Sequence, residues 1–283
     1  MSTSLRTSAA AFFIFFGLGS GVSLAQAVKT DRLPVSSNAI SPVTASVAQQ
    51  SLVDARLGSE QLDQKINDVY QEVVKVHMQG EYSEAVDMYR SVVIPMAETI
   101  PSGVTRGKFL FLGYRGLGNC YLAMSRFTEA EETFQKLFEY LPVWPGLDDS
   151  GYPLNFASIA MARIGERRWN AAEESLQQAV AIFDDQIGRA DNSSAASPLN
   201  VRAKRLRLSE DMALNLFGVV YFREQRYTEA LTVLDRAYRQ ATEFGAPGDV
   251  VAQIVEDARA VSITANDADA IAIWSSRASE VSN

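Results

Sequence analysis

Five alanines, Ala85, Ala130, Ala172, Ala230 and Ala270, each sit at the same place in a recurring pattern of apolar residues. The fullest copy reads Tyr114-x2-Leu117-Gly118-x2-Tyr121-x8-Ala130-x3-Phe134-x2-Leu137-x4-Pro142. The copy around Ala230 keeps the same register, as Leu214-x2-Phe217-Gly218-x2-Tyr221-x8-Ala230-x3-Leu234-x2-Ala237. The others are looser: Val69, Val73, Val76, Ala85, Tyr89 and Val92; Phe156, Ile159, Ala160, Ala172, Leu176 and Ala179; and Ile254, Ala258, Val261, Ala270 and Trp274. An aromatic residue, Tyr82, Phe127, Trp169 or Tyr227, precedes four of the alanines by three positions, and Asp267 stands there in the fifth copy. A repeat of this kind sets the architecture before any single residue is interpreted.

Apolar residues three and four apart fall on one stripe of a helix, so each copy encodes two amphipathic helices. Gly118, Gly218, Ala130 and Ala230 remove side-chain bulk where the two backbones must approach, and Tyr121, Phe134 and Tyr221 fill the remaining volume. Thr128-x-x-Glu131 and Asn170-x-x-Glu173 predict capping boxes, while Pro95 and Pro142 predict the ends of second helices. No stretch alternates long enough to predict a sheet, so the predicted class is all-α.

These residues resemble the tetratricopeptide repeat (TPR) family over roughly Ile66 to Ser279. The alanines are 45, 42, 58 and 40 residues apart, longer than the family's basic period of about 34. The resemblance is therefore to its longer variety, as in kinesin light chains. It implies a right-handed superhelical solenoid of about five antiparallel helix pairs, and a role in protein–protein interaction as a scaffold or adaptor. The long third step predicts an insertion loop at about 187–200 within a repeat domain spanning 59–283.

The N-terminus reads as a targeting segment. Arg6 precedes the apolar run Ala9 to Leu18, and Ala25-Gln26-Ala27 offers a small-x-small cleavage site. Residues 1–27 are expected to be a signal peptide and 28–58 a flexible tether, which predicts an exported, periplasmic or secreted protein. The apolar run is shorter than the roughly 20 residues that span a bilayer, so no integral membrane segment is expected after cleavage. The chain carries a net charge of −8, and loses Arg6 but no acid with residues 1–27, so neither nucleic acid nor anionic lipid is an expected partner.

Catalytic chemistry has little to draw on. His77 is the one histidine and Cys120 the one cysteine, which leaves no histidine cluster for a metal and no disulfide within the chain. Cys120 falls on a packing position. Neither a glycine-rich phosphate loop nor a nucleophile elbow occurs, so no cofactor is expected and an enzyme is not. The acidic pairs Glu131-Glu132, Asp148-Asp149, Glu173-Glu174 and Asp184-Asp185 read as helix-start or surface charge. The basic run Arg202, Lys204, Arg205 and Arg207 reads as a solvated face pairing with Glu210 and nearby acids, or as a site for an acidic partner or envelope polymer.

The concave groove of such a solenoid is the candidate site. Positions i, i+4 and i+7 of each first helix, on the side away from the pair contact, give Tyr70, Val74 and His77; Arg115, Asn119 and Leu122; Ala157, Met161 and Ile164; and Asn215, Val219 and Phe222. A mostly apolar stripe with sparse polar anchors suits an amphipathic helix or an extended peptide. The alternative is that these side chains are buried against their neighbours. Arg115 with Asn119 resembles the start of the family's carboxylate clamp, but its other positions fall on Ser158, Met212 and Leu216, which are wrong in type. A self-associating homo-oligomer is the other interaction reading, through Trp144, Tyr152 and Trp274 near repeat edges.

Overall fold

The structure is a computed structural model that describes residues 59–101, 103–140, 151–192 and 201–281. The proposed signal peptide and tether, Pro142, Trp144, Asp148-Asp149 and residues 193–200 of the expected insertion loop lie outside the described residues. The chain divides into two compact units between Asp148 and Asp149.

The N-terminal unit holds two helix pairs. Helix α1 is Ser59–Met78 and α3 is Val104–Ala123, with α4 at Phe127–Tyr140. Helix α2 runs through Tyr82–Met88, a π-helical turn at Tyr89–Val93 and Ile94–Thr99. The C-terminal unit holds three pairs: α5 (Gly151–Gly165) with α6 (Trp169–Asn192), α7 (Val201–Arg223) with α8 (Tyr227–Glu243), and α9 (Gly248–Ala265) with α10 (Ala268–Val281). The described residues form ten helices and no strand, as the periodicity predicts.

The alanine pattern is a packing pattern. Ala85, Ala130, Ala172 and Ala230 are all fully buried, as are Phe134, Leu176 and Leu234 one turn further along. A side chain on Gly118 would press into the Phe134 ring and one on Gly218 would meet Leu234, so both glycines allow the close helix contact expected of them. Gly116 has the same role against the buried Tyr89 ring of the preceding pair. Its importance is not visible in the repeat pattern.

One turn joins the helices of every pair. Gly80, Ser125, Arg167, Gln225 and Asn266 adopt the left-handed conformation. The next N–H, from Glu81, Arg126, Arg168, Arg226 or Asp267, donates to the carbonyl five residues back, at 2.8–3.3 Å. This Schellman-type bond closes the first helix and fixes the exit angle of the chain. The first bond of each second helix is donated by Ala85, Ala130, Ala172 and Ala230, and in the last pair by Ile271 rather than Ala270. The fifth copy is therefore one residue out of the register its alanine suggests.

Three further expectations are corrected. Thr128 and Asn170 are the second residues of α4 and α6, too far into their helices to cap them. Pro95 does not stop α2: the π turn immediately before it shifts the hydrogen-bond register, and the helix continues to Thr99. Helix α6 extends to Asn192, so residues 187–192 of the expected loop are helix.

Candidate functional site

The predicted stripe separates into buried and accessible members. In the N-terminal unit Tyr70 and His77 are buried and Leu122 nearly so, whereas Val74, Arg115 and Asn119 are half-exposed. Tyr70 packs its ring against Tyr89 at 6.5 Å and Phe109 at 6.3 Å between centroids. Burial pushes its hydroxyl up to about 12, and the nearby Arg115 charge pulls the other way. His77 sets its ring edge-on to Tyr82 and Tyr89, and burial pushes it down to about 4, so it is a neutral core residue at pH 7.

In the C-terminal unit Ala157, Met161, Ile164 and Asn215 are buried, while Val219 and Phe222 remain half-exposed. Phe222 leans on Tyr227 at 5.9 Å. Seven of the predicted groove residues, Tyr70, His77, Leu122, Ala157, Met161, Ile164 and Asn215, thus pack in the helical interior. Those still open to solvent are Val74, Arg115 and Asn119 in one unit, and Val219 and Phe222 in the other.

Cys120 is fully buried and its thiol is pushed up to about 12, so it stays protonated at neutral pH. Three members of the acidic pairs are held in ion pairs: Glu173 with Arg226 at 2.8 Å, Asp184 with Arg236 at 2.5 Å, and Asp185 with Arg189. Of the basic run, Arg207 bonds Asp191 and lies over Phe244 at 4.7 Å. Glu210, its expected partner, is instead fully buried and accepts from Arg236 and from Gln240 at 2.9 Å. Trp274 is no exposed edge residue. It is 3 % exposed and packs edge-on to Tyr238 at 5.6 Å.

A repeated motif escaped the sequence reading. Arg126 and Arg226 follow the inter-helix turn, stack over Tyr121 and Tyr221 at 4.6 and 4.2 Å, and bond Glu129 and Glu229 three residues on. The signal was present as Tyr-x4-Arg-x2-Glu at 121/126/129 and 221/226/229. It ties the turn to the first turn of the second helix.

The fold is that of a TPR-like helical repeat protein of the kinesin-light-chain type. BtubC (BKLC) from P. vanneervenii is similar with a TM-score of 0.61 at 17 % identity, covering 84 % of this chain and 88 % of that one. A Podosopora anserina chain described as a kinesin light chain with nearly identical TPR-like repeats is similar in two crystal structures. Both give TM-scores of 0.53 at 15 % identity, over 77 % and 78 % of this chain and 95 % and 96 % of theirs. No protein-family model and no curated protein matches the chain. At these identities the likeness concerns the fold.

Proposed function

We propose that the protein is an exported adaptor that captures a peptide or helix of a protein partner on the accessible part of its first-helix stripe. The observation that carries this reading is the half-exposed pair Arg115 and Asn119, one turn apart on α3, in a TPR-like fold. A guanidinium and an amide one turn apart can hold a carboxylate or a backbone carbonyl of a bound segment, a bond from the guanidinium to a carboxylate being worth about 1.5–3 kcal/mol. In the C-terminal unit, Phe222 and Val219 on α7 offer an apolar surface of their own. An acidic chain of this kind favours protein partners over nucleic acid, and export follows from the Arg6, Ala9–Leu18 and Ala25-Gln26-Ala27 pattern.

The test is a pull-down with residues 28–283 as bait beside the double variant Arg115→Glu/Phe222→Ala. A protein held by the wild type and lost by the variant supports the reading. Equal retention by both would move the site elsewhere. A second reading, self-association, is favoured by Ile263 and Ile273 in the last pair, 59 % and 53 % exposed. Light scattering separates the two: a concentration-independent monomer removes self-association.

A further inference from the structure

Helices α6, α7 and α8 enclose a polar cluster that the binding stripe does not use. Glu210 and Asp211 are adjacent on α7 and both are fully buried. Arg236 of α8 bonds Glu210 and also Asp184 of α6, and Gln240 of α8 donates to the second Glu210 oxygen. One guanidinium thus already faces two carboxylates. Neither oxygen of Asp211 has a hydrogen-bond partner, and the buried carbonyl oxygens of Gln240 and Gln186 lack donors as well. The cluster is short of both a positive charge and a donor hydrogen.

An ionised carboxylate with two unpaired oxygens in such a place is costly by several kcal/mol, and the usual outcome is that the group takes up a proton. We propose that Asp211 is a proton-holding residue: a buried, neutral carboxylic acid whose ionisation loosens α7 from α6 and α8 and makes the C-terminal unit pH-sensitive. A proton on Asp211 removes the uncompensated charge and supplies one missing donor. Among the described residues, the charges that reach Asp211 are Glu210 on its own helix, which opposes ionisation, and Arg236 on α8, which favours it weakly. Asp184 of α6 shares Arg236 and weakens that support. Burial is the largest cause and holds the carboxyl well above the usual range.

The linkage has a definite sign. The folded state holds a proton that the unfolded state releases above about pH 3.9. Over the window from there to the folded-state titration, the unfolding equilibrium constant rises about tenfold per pH unit from this group. The test compares the full chain with Asp211→Asn, which keeps the shape but cannot ionise, and with Glu210→Gln.

Urea unfolding upward from about pH 5 should show the wild type losing stability relative to Asp211→Asn by about tenfold per unit until the folded-state titration is reached. Infrared spectra at about pH 6, above the ordinary carboxylate range, should show protonated-carboxyl band intensity in the wild type that Asp211→Asn lacks. Parallel pH profiles, or no such band in the folded wild type, would overturn the proposal. So would a band lost in Glu210→Gln but kept in Asp211→Asn, which would put the proton on the neighbour. If Asp211→Asn does not fold, the wild-type spectrum and Glu210→Gln still decide it.

Discussion

Replacing Gly118 by alanine would place a methyl carbon 2.5 Å from Phe134 Cε1, 2.8 Å from Cζ and 2.9 Å from Cδ1. Carbon atoms in favourable contact stand about 3.5–4.0 Å apart, so the overlap approaches 1 Å. Phe134 is fully buried and its ring has no free space to swing into. Overpacking of this kind costs about 1–3 kcal/mol. Alanine returns about 1 kcal/mol through helix propensity, leaving a net loss of roughly 0–2 kcal/mol, or up to about 8 °C in Tm. Two other helical glycines calibrate the reasoning. At Gly218 the added carbon lies 3.0 Å from the Leu234 Cδ2 and Cγ atoms, which can shift, so the two effects should nearly cancel. At Gly188 nothing lies within 4 Å, so the propensity gain of up to about 1 kcal/mol should appear in full. Calorimetry should therefore rank Gly188→Ala above Gly218→Ala above Gly118→Ala. If propensity alone governed these sites all three variants would melt higher, and a Gly118→Ala protein that melts as high as Gly188→Ala would refute the close-contact account.

Two further outcomes follow from the C-terminal unit. Asp257 is 2 % exposed with one oxygen unpartnered, and burial pushes its carboxyl up to about 7, aided by Glu256 and opposed by a Gln253 bond. Its folded-state value exceeds the unfolded one, so the ionisation penalty is absent below about pH 4 and complete above about pH 7. The stability difference between Asp257→Asn and the wild type should grow across that window by up to about 4 kcal/mol; identical urea midpoints at every pH would contradict it. Among the described residues Trp274 is the one buried side chain of α10, clasped by Tyr238 and by Arg277, whose guanidinium lies 4.3 Å from each ring. Trp274→Ala should cost about 3–5 kcal/mol and raise hydrogen exchange over 268–281 more than over α7. Unchanged protection there would show that α10 is held by other means.

The helix pairs were legible because a close backbone contact demands small residues, and small residues recurring with helical spacing are visible in a string of letters. Gly118 against Phe134 and Gly218 against Leu234 are the structural counterparts of two letters in that pattern. The register of the last pair was not, since Ala268, Ala270 and Ala272 offer equivalent choices in an alanine-rich helix. The turn decides it, through the left-handed Asn266 and the bond from Asp267 to Ser262. Pro95 misled for a related reason: proline forbids one hydrogen bond, and a π turn can route the backbone around that loss without ending the helix.

The candidate site was legible in direction and not in depth. Spacing of i, i+4 and i+7 states which way a side chain leaves its helix, while exposure depends on what the neighbouring helices bring to meet it. Tyr70 and Arg115 both belong to that stripe. Yet Tyr89 and Phe109 close over the first while the second stays half open. Asp211 carries the same lesson further, for it lies one turn before Asn215 on the α7 stripe and is buried without a partner for either oxygen. A polar residue at a groove position is therefore ambiguous until its neighbours are known: Arg115 keeps part of its surface in solvent, whereas Asp211 is resolved by holding a proton.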